Sequence, residues 1–140
     1  MQDRPTAVEL LQIAQEFCER DLIPNLDGRV RFHARVLQNV LGILEREWLG
    51  EEDAVRAEWA RLQVLLGTTT PSPPTFTQLL EEVAAANREL SSRIRAGELD
   101  DRWEEAVRAV YETVEAKLAI ANPRYSATAS SEGAASSSET

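Results

Sequence analysis

Gly28-Arg-Val-Arg-Phe-His-Ala-Arg-Val-Leu-Gln-Asn-Val-Leu-Gly-Ile-Leu-Glu-Arg-Glu-Trp48 reads as one helix. Its apolar residues are Val30, Phe32, Ala34, Val36, Leu37, Val40, Leu41, Ile43, Leu44 and Trp48. At about 100° per residue they cover an arc of roughly 200°, wider than the stripe of an ordinary surface helix. A helix of that kind is expected at the centre of a bundle, with neighbours on most sides. His33 falls near the middle of the arc, and Arg29 lies one turn earlier on the same side. His33 is therefore expected to be buried and hydrogen-bonded.

Working outward, the same period recurs in four more segments. Before the central stretch, Thr6-Ala-Val-Glu9 has the spacing of a capping box, preceded by Pro5. It predicts a helix to about Arg20 with Leu10, Leu11, Ala14, Phe17 and Cys18 facing in. Residues 21–27, with Pro24, Asn25 and Asp27, read as a connection. After the central stretch, Gly50 is expected to end the helix. A third helix follows over 51–66, with Glu51, Glu52 and Asp53 suited to a helix start. Residues 67–74 hold Gly67, three threonines and three prolines, a composition that no helix survives. Thr75 with Gln78 opens a fourth helix to Ala96, and Gly97 supplies a left-handed stop. A fifth starts at Asp100 or Asp101 and carries a stripe of Trp103, Ala106, Val107, Val110, Val114 and Leu118. Asn122-Pro123 ends it. Residues 126–140 are Ser, Ala, Gly, Glu and Thr with no large apolar side chain, and are expected to be disordered.

Alternating apolar and polar runs are absent, so no strand competes. The expected fold is all-α: a single five-helix bundle domain over residues 1–125, with a disordered tail over 126–140.

Composition narrows the function. The 140 residues are 43% hydrophobic and 28% charged, enough for one domain with a real core. The net charge of -9 argues against nucleic acid, which needs clustered uncancelled Lys and Arg, and against anionic membrane surfaces. Lys117 is the only lysine. A single cysteine, Cys18, permits neither an internal disulfide nor a cysteine metal site. Residues 1–9 carry no apolar signal region and no run approaches the length of a membrane span, so a cytoplasmic location is expected.

Two polar residues interrupt apolar faces. For His33, the plainer reading is a satisfied buried imidazole. The functional one is a polar pocket in which Arg29, His33 and the free N–H groups of a helix start hold an anion. Asn87 sits among Leu80, Val83, Leu90 and Ile94, where an unpaired amide would cost about 1–3 kcal/mol. It is expected to pair with another inward polar group such as His33, the alternative being a pocket lined by Arg29, His33 and Asn87. Arg31, Arg35 and Arg46 line the outer side of the central helix, as a solvated face or as a contact for an acidic partner. Trp48, Trp59, Trp103 and Tyr111 are expected in the core. No Glu-x-x-His pair, phosphate-binding loop, G-x-S-x-G elbow or dinucleotide fingerprint is present, so no metal, cofactor or catalytic residue is expected.

Three segments are distinctive together. They are Met1-Gln-Asp-Arg-Pro-Thr-Ala7 followed by Glu9-Leu-Leu11; Gly28-Arg-Val-Arg-Phe-His-Ala-Arg-Val36; and Ile94-Arg-Ala-Gly-Glu98 with Lys117-Leu118 and Asn122-Pro-Arg-Tyr125. Over roughly residues 1–125 the chain resembles a family of small, uncharacterised bacterial proteins. Members are typically encoded beside an aminoglycoside-phosphotransferase-like kinase and an acyl-CoA dehydrogenase-like flavoprotein. That setting resembles a route in which a hydroxyacyl-CoA is phosphorylated and the phosphate then eliminated. The resemblance implies a non-catalytic accessory of the kinase, with the flavoprotein as a second possible partner. It draws attention to Arg29, Arg31, His33 and Arg35 and to Asn122, Pro123, Arg124 and Tyr125, and brings no catalytic assignment. The alternative function is a helical module binding an acyl or acyl-CoA ligand. An exposed apolar patch would favour the accessory role, and an enclosed pocket around Arg29, His33 or Asn87 the ligand role.

Overall fold

The computed structural model describes residues 4–71, 73 and 75–125. Within them every regular element is helical: α1 (Ala7–Phe17), α2 (Gly28–Leu66), α3 (Phe76–Arg95) and α4 (Trp103–Ala121), with short π and 3-10 turns between them. The 126–140 tail expected to be disordered lies outside the described residues.

The helix starts follow local chemistry. Thr6 accepts from the Glu9 amide at 3.2 Å while the Glu9 carboxylate accepts from the Thr6 amide at 2.7 Å. This reciprocal pair satisfies two of the donors a helix start leaves free. Thr75 accepts from the Gln78 amide in the same way at the start of α3. The helix ends are equally local. Gly67 (φ 68°) and Gly97 (φ 74°) take left-handed backbone. At the first, Thr68 N–H reaches Gln63 O and Gly67 N–H reaches Val64 O; at the second, Glu98 N–H reaches Arg93 O and Gly97 N–H reaches Ile94 O. Both are Schellman closures, which need a residue that tolerates positive φ.

Two boundaries differ from expectation. The helix ended at Gly50 in the sequence reading runs on, so the segments 28–48 and 51–66 form one 39-residue helix. Gly50 keeps a right-handed conformation and its Cα faces open space. A glycine inside a helix costs about 1 kcal/mol relative to alanine, which the apolar spacing on either side outweighs. The acidic triplet that suggested a helix start is mid-helix, where Glu52 pairs with Arg56 one turn on. The 21–27 connection is also more helical than expected. A π turn over Cys18–Leu22 and a 3-10 turn over Ile23–Asn25 continue α1 before the chain reverses.

The chain divides into two compact units, Met1–Glu51 and Glu52–Thr140. In the first, α1 pairs with the leading half of α2. Cys18 and Ala34 are its buried apolar side chains. Gly42 faces α1, where its Cα lies beside the Gln15 side chain. In the second, the trailing half of α2, α3 and α4 enclose a core of Leu62, Leu65, Leu66, Leu79, Val83, Leu90, Leu99 and Ala106, flanked by Trp59 and Phe76. Two arginines close the end of α2 in this unit. Arg102 Nη1 donates to Leu65 O at 3.0 Å and Arg93 Nη1 to Leu66 O at 3.1 Å. Each places a cation where the helix leaves carbonyls unpaired and its dipole is negative.

Candidate interaction surfaces

Asn87 finds its partner in the second unit. Its Nδ2 donates to Glu58 Oε1 at 2.7 Å and to Val83 O at 3.1 Å. Glu58, on α2, is 4% exposed and is the buried charged residue among those described. Lys117 on α4 reaches the same carboxylate, with Nζ 3.3 Å from Oε2. One residue from each of the three helices thus meets in a small polar cluster. The pairing expected for Asn87 exists, with Glu58 in the role given to His33. Glu58 was legible in principle, since it falls on the ridge of Val55, Leu62 and Leu65 at spacings of three, four and seven. The cluster is closed on itself and resembles a register pin more than a ligand site.

His33 is exposed, contrary to the burial expected from its place on the arc. It accepts from Arg29 Nε at 3.2 Å and meets the Phe32 ring edge-on at 5.7 Å. The physical reason is that α1 covers only one side of α2, and the remainder of the wide apolar arc stays open. Arg35 is exposed, while Arg31 and Arg46 are half-buried. The Arg31 Nε is buried without a hydrogen-bond partner among the described residues. The three arginines still share one flank of α2, at spacings of four and eleven.

Two open apolar surfaces remain. In the first unit, α1 exposes Leu10, Ile13 and Phe17, and α2 exposes Val30, Leu37, Val40, Leu44 and Trp48. Phe17 is 55% exposed and Trp48 64%. Glu45 ties the two helices together, accepting from Gln15 Nε2 at 2.7 Å and Gln12 Nε2 at 2.6 Å. The Gln15 and Gln12 bonds hold its carboxyl below the ordinary carboxylate range, against a small opposing effect of burial and with help from Arg46.

In the second unit, α4 buries Ala106 and half-buries Ala109 and Thr113 while presenting Trp103, Val107, Val110, Val114 and Tyr111 outward. Trp103 is 53% exposed, so it and Tyr111 are not the core residues the sequence suggested. The Glu115 carboxylate beside Tyr111, by its charge and by a hydrogen bond, raises the phenol above its usual range.

An open groove of about 370 Å³ runs between α2 and α4 in this unit, lined by Arg61, Val64, Arg102, Arg108 and Ala109 among others. Its cations are largely answered from within. Arg102 pairs with Glu105 at 2.7 Å, and Arg61 donates to Thr113 at 3.2 Å with Glu112 at 3.7 Å. No cluster of metal-ligating side chains occurs among the described residues, and no helix there is long and apolar enough to cross a membrane.

No curated protein and no solved structure matches the chain. A family pattern described as a domain of unknown function, DUF6285, matches residues 24–125, which take in α2, α3 and α4 entire. That span covers most of the chain, and the chain therefore belongs to the DUF6285 family.

Proposed function

We propose that the chain is a non-catalytic protein-interaction module, an accessory of the aminoglycoside-phosphotransferase-like kinase that its resemblance implies, in hydroxyacyl-CoA breakdown. The observation that carries this reading is the outward stripe of Trp103, Val107, Val110 and Val114 on α4. Those side chains stand on a helix whose other side already closes the core, so their exposure is not needed to fold the unit. A tryptophan and a run of valines on one ridge is the composition of an interface centre, and the flanking Glu104 and Glu115 supply a polar edge. The acidic edge favours a partner face of apolar residues edged by Lys or Arg.

The acyl-ligand alternative is less favoured. The Asn87 amide is committed to Glu58 and Val83, and His33 stands on an exposed helix face. The test is co-elution of the full chain with a tagged aminoglycoside-phosphotransferase-like kinase of the kind the resemblance implies. Val107→Glu with Val110→Glu should abolish co-elution while circular dichroism stays helical. A parallel charge reversal at Arg31, Arg35 and Arg46 asks whether the α2 flank contributes. Co-elution unchanged by both sets of substitutions would overturn the reading, as would phosphoryl transfer by the isolated chain.

A further inference from the structure

The open face of the first unit has a built-in symmetry. On α1, Leu10, Ile13 and Phe17 lie about 120° around the helix from the side that meets α2. On α2, Val30, Leu37, Val40 and Leu44 are displaced by about the same angle, in the same rotational sense, from the side that meets α1. Gln12 and Gln15 of α1 both reach Glu45, and Gln15 also lies beside Gly42, so the two helices run antiparallel. For antiparallel helices, equal offsets of the same sense bring both stripes to one side. The result is a continuous apolar face on a two-helix hairpin, half of a four-helix bundle.

The charges along this face are also ordered. Its α2 ridge begins with Arg29 and His33, joined by the 3.2 Å hydrogen bond. It passes through Leu37, Val40 and Leu44 and ends with Glu47 and Glu51, which have no ion-pair partner among the described residues. His33 and Glu47 each lie seven residues from Val40, and Arg29 and Glu51 each lie eleven. An antiparallel copy of α2 centred on Val40 would therefore set His33 against the partner's Glu47 and Arg29 against the partner's Glu51. A two-fold axis repeats both pairings.

We infer that the N-terminal hairpin is a self-association surface: two copies of the chain pair their α1–α2 faces about a two-fold axis beside Val40, forming a four-helix bundle. The seven apolar side chains of the two stripes, with Trp48 beside Leu44 as an eighth, leave roughly 900 Å² of exposed residue surface per chain, a ceiling on what pairing buries and of the order of the ~800 Å² per partner of a standard interface. A parallel pairing would oppose basic end to basic end and acidic end to acidic end, which disfavours it. This surface is distinct from the α4 stripe proposed for the kinase, so the two proposals stand or fall separately.

The test is sedimentation of the full chain at tens of micromolar, with no other protein present. A dimer of about 31 kDa is expected, twice the chain's 15.6 kDa. Leu37→Glu with Leu44→Glu should weaken it by at least about 30-fold, the size of one interface hot spot, with helicity kept because both side chains are already exposed in the single chain. For register, Val40→Cys in a Cys18→Ala background should form an intermolecular disulfide on mild oxidation, and Asn39→Cys should not. A wild-type chain that stays monomeric overturns the inference, whatever else binds the face. So does a dimer indifferent to Leu37→Glu/Leu44→Glu, or equal crosslinking through positions 39 and 40.

Discussion

Replacing Asn87 with leucine removes the short donor to a carboxylate that has almost no access to water. Glu58 is 4% exposed, and Asn87 Nδ2 stands 2.7 Å from its Oε1. Lys117 is the other cation or donor within reach, but its side chain is 66% exposed. Its attraction is screened and is worth at most ~1 kcal/mol. A hydrogen bond to a charged group contributes about 1.5–3 kcal/mol, and loss of one partner leaves the other desolvated. Asn87→Leu should therefore cost about 2–3 kcal/mol. Glu58→Leu leaves the Asn87 amide its bond to Val83 O, so the cost should be nearer 1 kcal/mol. In Glu58→Leu/Asn87→Leu both buried polar groups are gone and Lys117 turns to water, so stability should return to within about 1 kcal/mol of the wild type. The coupling energy of the cycle is then about 2 kcal/mol. Urea unfolding followed by far-UV circular dichroism and by tryptophan fluorescence reads it, because Trp59 and Trp103 both belong to this unit. A cost for Asn87→Leu below about 0.5 kcal/mol, or a double variant whose loss equals the sum of the singles, would refute the reasoning.

Three further outcomes follow from the same contacts. Arg102→Ala strips a guanidinium from Leu65 O at the end of α2 and should cost about 1 kcal/mol in the same urea assay, more than Arg108→Ala on the groove wall. Gly97→Ala forces a side chain into φ 74°, and the added Cβ would meet Asp100 Oδ2 at 3.3 Å, so a loss of about 1 kcal/mol is expected. Glu45 is held below its ordinary range chiefly by Gln15 and Gln12. Its contribution is present above the ordinary carboxylate range and is lost as pH falls through the depressed folded value. Gln15→Ala with Gln12→Ala should move the Glu45 titration upward, as read by NMR of the carboxyl carbon.

Helix punctuation was legible residue by residue. Thr6 and Thr75 cap because their hydroxyls reach an amide three residues on, and Gly67 and Gly97 stop helices because they accept positive φ. These are short-range geometries that a sequence states directly. Gly50 shows the limit. A glycine that could end a helix does so only if the chain has somewhere else to go, and α2 continues because its apolar spacing does. His33 shows a second limit. Periodicity marks a face as apolar without saying what covers it, and most of the arc in residues 28–48 is open surface where a core was expected. Asn87 shows a third. Its need for a partner was clear, but choosing Glu58 over His33 required knowing which stretch of α2 lies against α3, a non-local fact.

The central claim is that α4 is a recognition surface for another protein. Hydrogen–deuterium exchange of the full chain, alone and with the proposed kinase partner at saturating concentration, tests it most directly. The account predicts slower exchange concentrated in residues 103–115 of α4, with α3 unchanged. Exchange along α4 that is identical with and without the kinase, in a mixture shown to be associated, would contradict it.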